Sequence, residues 1–299
     1  MAMVINTNMG AINATRTLDR TSVEQQTAME RLTSGKRING AADDAAGLAI
    51  TTKMTTQTVG TDMAIRNAND GMAKLQTADG ATEEIVNMMQ RMRELGVQAL
   101  NGTYSAANRT QMQEEFSALQ EEIDRVAQTT KFNGTSLLNS AAVQASNATV
   151  FHVGWETGAN NKVSMSVINM GTSALSAGGK TLGSITLTST ATGTTAASAA
   201  VSKLDVMLSK VNLQRASWGA VQNRLESTVS NLSNVNENIS AARSRIEDAD
   251  FAKESANLAR TQVLQQAGMS MLRNYLDLVN KSGMTAKEGL TGALLNEII

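Results

Sequence analysis

The sequence predicts a mainly α fold: long antiparallel, coiled-coil-like helical rods from both chain ends, with a small β-hairpin region in the middle. Three observations predict it. Apolar and small residues recur at alternating steps of 3 and 4 in both flanks of the chain, which is the seam pattern of packed helices. The 299 residues include no proline, where ordinary usage of about 5% would give roughly 15. Long helices joined by few turns have little room for that residue. Between the flanks, residues 149–168 alternate with the period of paired strands.

The elements follow in chain order. A stripe through Ala11, Ala14, Leu18, Ala28 and Leu32 marks a first helix. From Leu75 the series Leu75, Ala78, Thr82, Ile85, Met89, Met92, Gly96, Ala99 keeps its heptad without a slip. Asn101-Gly102 is a helix-ending dipeptide. Gln111 to Ala127 reads as another helix, with Phe116, Leu119, Ile123 and Val126 on one face, and Asn133-Gly134 forms the next break. The runs Thr149–Trp155 and Lys162–Ile168 alternate about Gly158-Ala-Asn-Asn161, a hairpin signature. Residues 171–200 hold 25 Gly, Ala, Ser or Thr and one charge, Lys180, and read as a loop-like surface segment with Ser184–Thr188 as a candidate short strand. The second seam runs through Trp218, Val221, Leu225, Thr228, Leu232, Val235, Ile239, Ala242 and Ile246. Thirty residues of such a helix span about 45 Å, a rod rather than the wall of a compact enzyme. A last stripe passes through Leu264, Gly268, Met271, Tyr275 and Leu278.

Composition excludes several functions. With 26 Lys+Arg against 27 Asp+Glu and only 2 Trp, 2 Tyr and 4 Phe, the chain lacks the basic, aromatic face of a nucleic-acid binder. The absence of cysteine removes disulfides, thiol nucleophiles and Cys-type zinc sites. No window of 18 apolar residues argues for membrane insertion. The polar N-terminus lacks the apolar core of a cleaved signal peptide.

Candidate chemistry is equally thin. The sole histidine, His152, sits in the hairpin without a triad pattern. Gly179-Lys180-Thr181 imitates the end of a phosphate loop, but the required first glycine is Ala174. Asn69-Asp70-Gly71 resembles part of a calcium loop whose first ligands would be Arg66 and Ala68, which cannot coordinate. Asp43-Asp44 reads as a helix start or turn, and Arg91, Arg93 and Glu94 as an exposed, ion-paired face. The expectation is a non-enzyme without catalytic, cofactor or metal residues.

Longer motifs carry more information. Ile5-Asn-Thr-Asn8, Arg31-Leu-Thr-Ser-Gly-Lys-Arg-Ile-Asn39, Ala41-Ala-Asp-Asp-Ala-Ala-Gly-Leu-Ala-Ile50, Asn69-Asp-Gly71, Gln90-Arg-Met-Arg-Glu-Leu95, Glu122-Ile-Asp-Arg125 and Lys131-Phe-Asn-Gly134 fill the first flank. Gly219-Ala-Val-Gln-Asn-Arg-Leu225, Ser244-Arg-Ile-Glu-Asp-Ala-Asp-Phe251 and Gln262-Val-Leu-Gln-Gln-Ala267 fill the second. Over residues 1–170 and 201–272 the chain resembles bacterial flagellin.

That resemblance implies a structural subunit, exported unfolded and polymerised into an extracellular helical filament for swimming motility. It implies a small, two-domain form without large outer domains. Residues 1–42 with 255–299 would form an inner terminal helical domain, residues 43–170 with 201–254 a helical rod carrying the β-hairpin, and 171–200 a variable surface segment. Implied partners are further copies of the chain, hook-associated junction and cap proteins, an export chaperone and a host Toll-like receptor. Gln90, Arg91, Leu95 and Glu122 match positions used for subunit packing and receptor contact. Leu75, Ile85, Met89, Met92, Val221, Leu225, Leu232, Val235, Ile239 and Ile246 would form the coiled-coil seam.

The far C-terminus departs from the family. Ser270-Met-Leu272 is followed by 27 residues in which Gly283, Gly289 and Gly292 are expected to interrupt a single helix. A hook–filament junction protein is the nearest alternative, because it shares paired helical ends. A cytosolic coiled-coil adaptor would explain the heptads but neither the hairpin nor the matched ends.

Overall fold

The structure is a computed structural model that describes residues 9–139, 148–188 and 193–296. Among the described residues five long helices dominate: α1 (Met9–Ser34), α2 (Ala45–Leu100), α3 (Ala106–Thr129), α4 (Gly193–Glu247) and α5 (Phe251–Asn296). Three antiparallel strand pairs lie between α3 and α4: β1 (Lys131–Phe132) with β2 (Thr135–Ser136), β3 (Ala148–His152) with β4 (Lys162–Ser166), and β5 (Ser176–Ala177) with β6 (Lys180–Thr181). The chain separates into two compact units, Met1–Thr55 with Ile239–Ile299 and Thr56–Asn238, so α2 and α4 each contribute to both. The motif Ile5–Asn8 falls outside the described residues.

The Thr56–Asn238 unit is organised by a seam longer than the apolar pattern alone suggests. On α2, Thr61, Ala64, Ala68 and Gly71 extend the buried 3–4 alternation of Leu75 to Ala99 by two heptads. On α4, Ala197, Ala200, Leu204, Met207, Val211 and Gln214 lead without a slip into Trp218, Val221 and Leu225. Side-chain links between Asp62 and Asn236, Asp79 and Arg215, and Arg93 and Asp205 make the pair antiparallel, since one number rises as the other falls. At Gly96 the helices come so close that a Cβ would stand 2.8 Å from Val201 Cγ2.

The β3–β4 hairpin packs between these helices. Lys74 Nζ donates to Thr149 Oγ1 at 3.1 Å, and Asn67 donates to the His152 carbonyl at 3.1 Å. A Cβ on Gly71 would meet the Phe151 ring, and one on Gly60 the Trp155 Cβ. On the other side Trp218 Nε1 and Gln214 Nε2 both donate to the Ser166 carbonyl, each at 2.8 Å. Val163 and Met165 point into the core while Lys162, Ser164 and Ser166 point out, the alternation of a half-buried strand.

Residues 171–188 are not the loop that composition suggests. Leu175, Leu182, Ile185 and Leu187, the large apolar residues of the segment, are all buried with Ala177. α3 holds the segment through Gln120, which donates to the carbonyls of Leu182 and Ile185, and through Gln113, which accepts from the Leu187 amide. Asp124 accepts from both the amide and the hydroxyl of Thr172. Ser184–Thr188 is not a strand: the backbone passes through a 3₁₀ turn at Leu182–Ser184, and the Leu187 amide is taken by a side chain rather than a neighbouring strand. Two-residue turns with positive φ close the small hairpins, Asn133-Gly134 (48° and 76°) and Gly178-Gly179 (56° and 80°), as the twist of a tight hairpin requires.

In the other unit, the breaks between helices are tied to each other. Gly35 ends α1 at φ 71°, and its carbonyl accepts from the Ala249 amide. Lys36 and Asp248 form an antiparallel bridge, the Arg37 amide donates to the Glu247 carbonyl, and Lys36 Nζ pairs with Glu247. Asp43 Oδ2 accepts the amides of Asn39 and Gly40, each at 3.0 Å, and Asp44 Oδ1 caps α2 through the Gly47 amide at 2.8 Å. Both acids therefore organise a turn and a helix start, as their sequence context predicts. A Cβ at position 47 would lie 2.5 Å from the Asp44 carboxylate and 2.7 Å from the buried Ile38 side chain, so any larger residue there must displace the cap or the core side chain. α5 runs through Gly283, Gly289 and Gly292 to Asn296 as one helix, where the glycines were expected to break it. A helix-interior glycine costs only about 1 kcal/mol, less than a break needs.

Candidate assembly surface

α1 and α5 form an antiparallel pair. Arg31 meets Glu254 at 3.2 Å, Glu24 meets Arg260 at 4.0 Å, and a Cβ on Gly268 would stand 2.7 Å from Leu18 Cδ2. The α1 side of the seam is Ala11, Ala14, Leu18, Thr21, Gln25, Ala28 and Leu32, all buried or half-buried. The α5 side is Glu254, Leu258, Thr261, Gln265, Gly268 and Leu272. Small residues let the two backbones approach closely. Glu254, 7% exposed, answers its burial with Arg31 and with an amide hydrogen bond from Asn257.

This seam differs from the expected one on α5. Leu264 and Met271 face outward, and among the described side chains of the predicted stripe Gly268 alone lies in the contact. The side chains of Tyr275 and Leu278 lie outside the described residues. Polar Glu254, Thr261 and Gln265 take the inner positions, a choice that hydrophobicity cannot reveal. The consequence is an outer surface rich in apolar groups: Met9, Ile12, Val23 and Met29 on α1, with Phe251, Val263, Leu264, Met269 and Met271 on α5, are exposed. Apolar groups exposed in this number on both helices suit an association surface, and a two-helix pair has no further layer of its own with which to cover them.

The residues singled out on α2 and α3 occupy a different face. Arg91 bridges two helices, from Nη1 to Glu94 at 3.0 Å and from Nε to Glu115 at 2.9 Å. These hydrogen bonds, Glu115 first and Glu94 second, hold its guanidinium pKa above the ordinary value. Glu122 pairs with Arg125 one turn along α3, and that hydrogen bond lowers the Glu122 pKa. Gln90 and Arg91 are exposed and Glu122 is half-buried, whereas Leu95 is 2% exposed and belongs to the core. Of the seam residues, Leu75, Ile85, Met89, Met92, Val221 and Leu225 are buried, while Leu232, Val235, Ile239 and Ile246 are half-buried. Asn69 and Asp70 are exposed, and Gly71 receives Phe151.

Among the described residues no helix is long and apolar enough to cross a membrane. Comparison with known proteins fits a helical chain whose two ends carry the family-specific sequence. The model of the bacterial flagellin N-terminal helical region matches residues 5–143, and that of the bacterial flagellin C-terminal helical region matches residues 201–275. The chain is 42% identical to a flagellin of Halalkalibacterium halodurans, with 90% of this chain and 94% of the relative covered. It is 35% identical to flagellin B of Vibrio cholerae, covering 91% and 96% respectively. A solved structure described as a flagellar hook-associated protein from Vibrio parahaemolyticus has a TM-score of 0.57 over 69% of this chain and all of its own, at 12% identity, which shows a shared fold alone. The paired family regions and the near full-length relatives agree, and the chain belongs to the bacterial flagellins, the structural subunits of the flagellar filament.

Proposed function

We propose that the chain polymerises through the outer surface of the α1–α5 hairpin into an extracellular helical filament for swimming. The observation that carries this reading is the set of outward apolar residues on two antiparallel helices whose own seam is narrow, small and partly polar. Heterologous contacts between such surfaces repeat without closing and generate an open helix of subunits. In this reading residues 1–42 with 255–299 form the inner domain, and 43–170 with 201–254 form the rod that contacts neighbouring rods. Hook-associated junction and cap proteins meet the filament ends. The chain is exported unfolded with the help of an export chaperone. Gln90, Arg91 and Glu122, seated on Leu95, are the packing face and the surface offered to a host Toll-like receptor.

Seeded elongation tests the central point. Purified chain added to short filament fragments should give long filaments by negative-stain microscopy. Gly268→Leu, which drives a side chain into Leu18, should elongate poorly while the Thr56–Asn238 unit melts as before. A soluble oligomer of fixed size from the unaltered chain would refute the filament reading, and short capped stubs would favour a junction protein.

A further inference from the structure

The described methionines range from buried to strongly exposed, with Met54, Met72, Met88 and Met112 half-buried. Met89, Met92, Met165, Met170 and Met207 are buried in the core of the Thr56–Asn238 unit. Met9, Met29, Met269 and Met271 are 63%, 51%, 53% and 68% exposed, and all four lie on the α1–α5 hairpin. Met63 on α2, at 46%, is the remaining strongly exposed one among the described residues. At 100° per residue, Met29, Met269 and Met271 flank the α1–α5 seam and Met9 sits opposite it, so the thioethers lie on the outer faces of the pair rather than in its seam. The chain has no cysteine, which leaves methionine as its readily oxidised sulfur.

We propose that Met9, Met29, Met269 and Met271 form a peroxide-modification site that stops assembly when oxidised, an inference that rests on the hairpin surface being the polymerisation surface. In the reaction, a thioether sulfur attacks one oxygen of hydrogen peroxide. The S–O bond forms as the O–O bond breaks, sulfur loses two electrons, and the departing hydroxide takes the proton of the newly sulfur-bound hydroxyl and leaves as water. The product sulfoxide is a polar acceptor on a side chain that was apolar. Burying it against an apolar neighbour leaves that acceptor without a partner. The core methionines are shielded by packing, so the fold outlives the modification. Once neighbours cover the hairpin the four thioethers are shielded as well, and sensitivity is confined to the unassembled subunit.

The test uses full-length monomer treated with dilute hydrogen peroxide, quenched, mapped by peptide mass spectrometry and offered to filament seeds. Sulfoxide is expected at positions 9, 29, 269 and 271 before the core methionines, with elongation slowed at least tenfold and restored by methionine sulfoxide reductases. A variant carrying Met→Leu at the four positions, compared with its own untreated rate, should keep elongating after peroxide. In preformed filaments the same four positions should resist oxidation. Equal losses for the unaltered chain and the four-leucine variant would overturn the proposal, as would an oxidised monomer that elongates at the untreated rate. Untreated monomer that fails to elongate at all would instead sink the assembly reading beneath it.

Discussion

Phe151 lies over Gly71: a Cβ at that position would come within 3.0 Å of the ring. Eleven residues earlier on α2, Gly60 receives the root of Trp155, with its Cβ 2.7 Å and its Cα 3.3 Å from where the methyl would be. Eleven residues are close to three helical turns, so the two glycines lie along one line on α2. The hairpin seats the Phe151 ring on one and the backbone and Cβ of Trp155 on the other.

The glycines of α2 should therefore respond oppositely to alanine. Gly80 is exposed with nothing near its missing Cβ, so Gly80→Ala should stabilise by about 0.5–1 kcal/mol through helix propensity. Gly60→Ala pushes against atoms at the root of Trp155 rather than the tip of a flexible chain and should destabilise by about 1–3 kcal/mol. Urea melts of the two variants check the contrast in sign.

Trp218 combines a buried ring with a hydrogen bond to the Ser166 carbonyl. Trp218→Phe removes the donor and leaves that carbonyl with Gln214 as its partner. The expected loss is about 1–2 kcal/mol, well short of the roughly 3–5 kcal/mol for a large-to-small Trp218→Ala change. Comparable losses for both variants would mean that the hydrogen bond carries more than the packing.

Acid stability should depend on Asp43. The amides of Asn39 and then Gly40 hold its carboxyl below the ordinary value of 3.8. A depressed folded-state pKa means that its contribution is present above the unfolded pKa and fades as pH falls through the folded one. Thermal melts should therefore weaken from about pH 4 downward. Asp43→Asn should flatten that part of the profile while leaving the neutral-pH cap by Asp44 in place.

Arg91 bridges Glu94 and Glu115 in the open, and exposed pairs add little to folding. Arg91→Ala should leave the melting temperature within scatter. Arg91→Asp, which puts a third carboxylate among those two, should lower filament elongation and receptor signalling by monomer. Unchanged signalling would remove the receptor assignment from this face.

How much was legible in the sequence depended on side-chain size. The seams were read from Leu75 and Trp218 onward, where large apolar residues mark most steps. Their continuation through Thr61, Ala64, Ala68 and Gly71, and back through Ala197 and Ala200, was invisible because small residues on a heptad look like any helix surface. In the candidate site the same blindness reversed the α5 stripe. Leu264 and Met271 looked like inner residues, yet Glu254, Thr261 and Gln265 took the seam because Arg31 and the close approach at Gly268 make that side narrow and polar.

Periodicity, the missing proline and the ordered motifs determined by themselves the helical architecture, the central hairpin and the family. Those are properties of local backbone preference and of long matched strings, and they need no knowledge of what packs on what. Tertiary structure alone decided which residues face inward. It turned Leu95 into the core beneath Arg91, laid residues 171–188 against α3, and carried α5 through three glycines. It also sent Met9, Met29, Met269 and Met271 outward. Each outcome depends on a partner distant in sequence, and a side chain's burial follows from the surface that meets it as much as from its own chemistry.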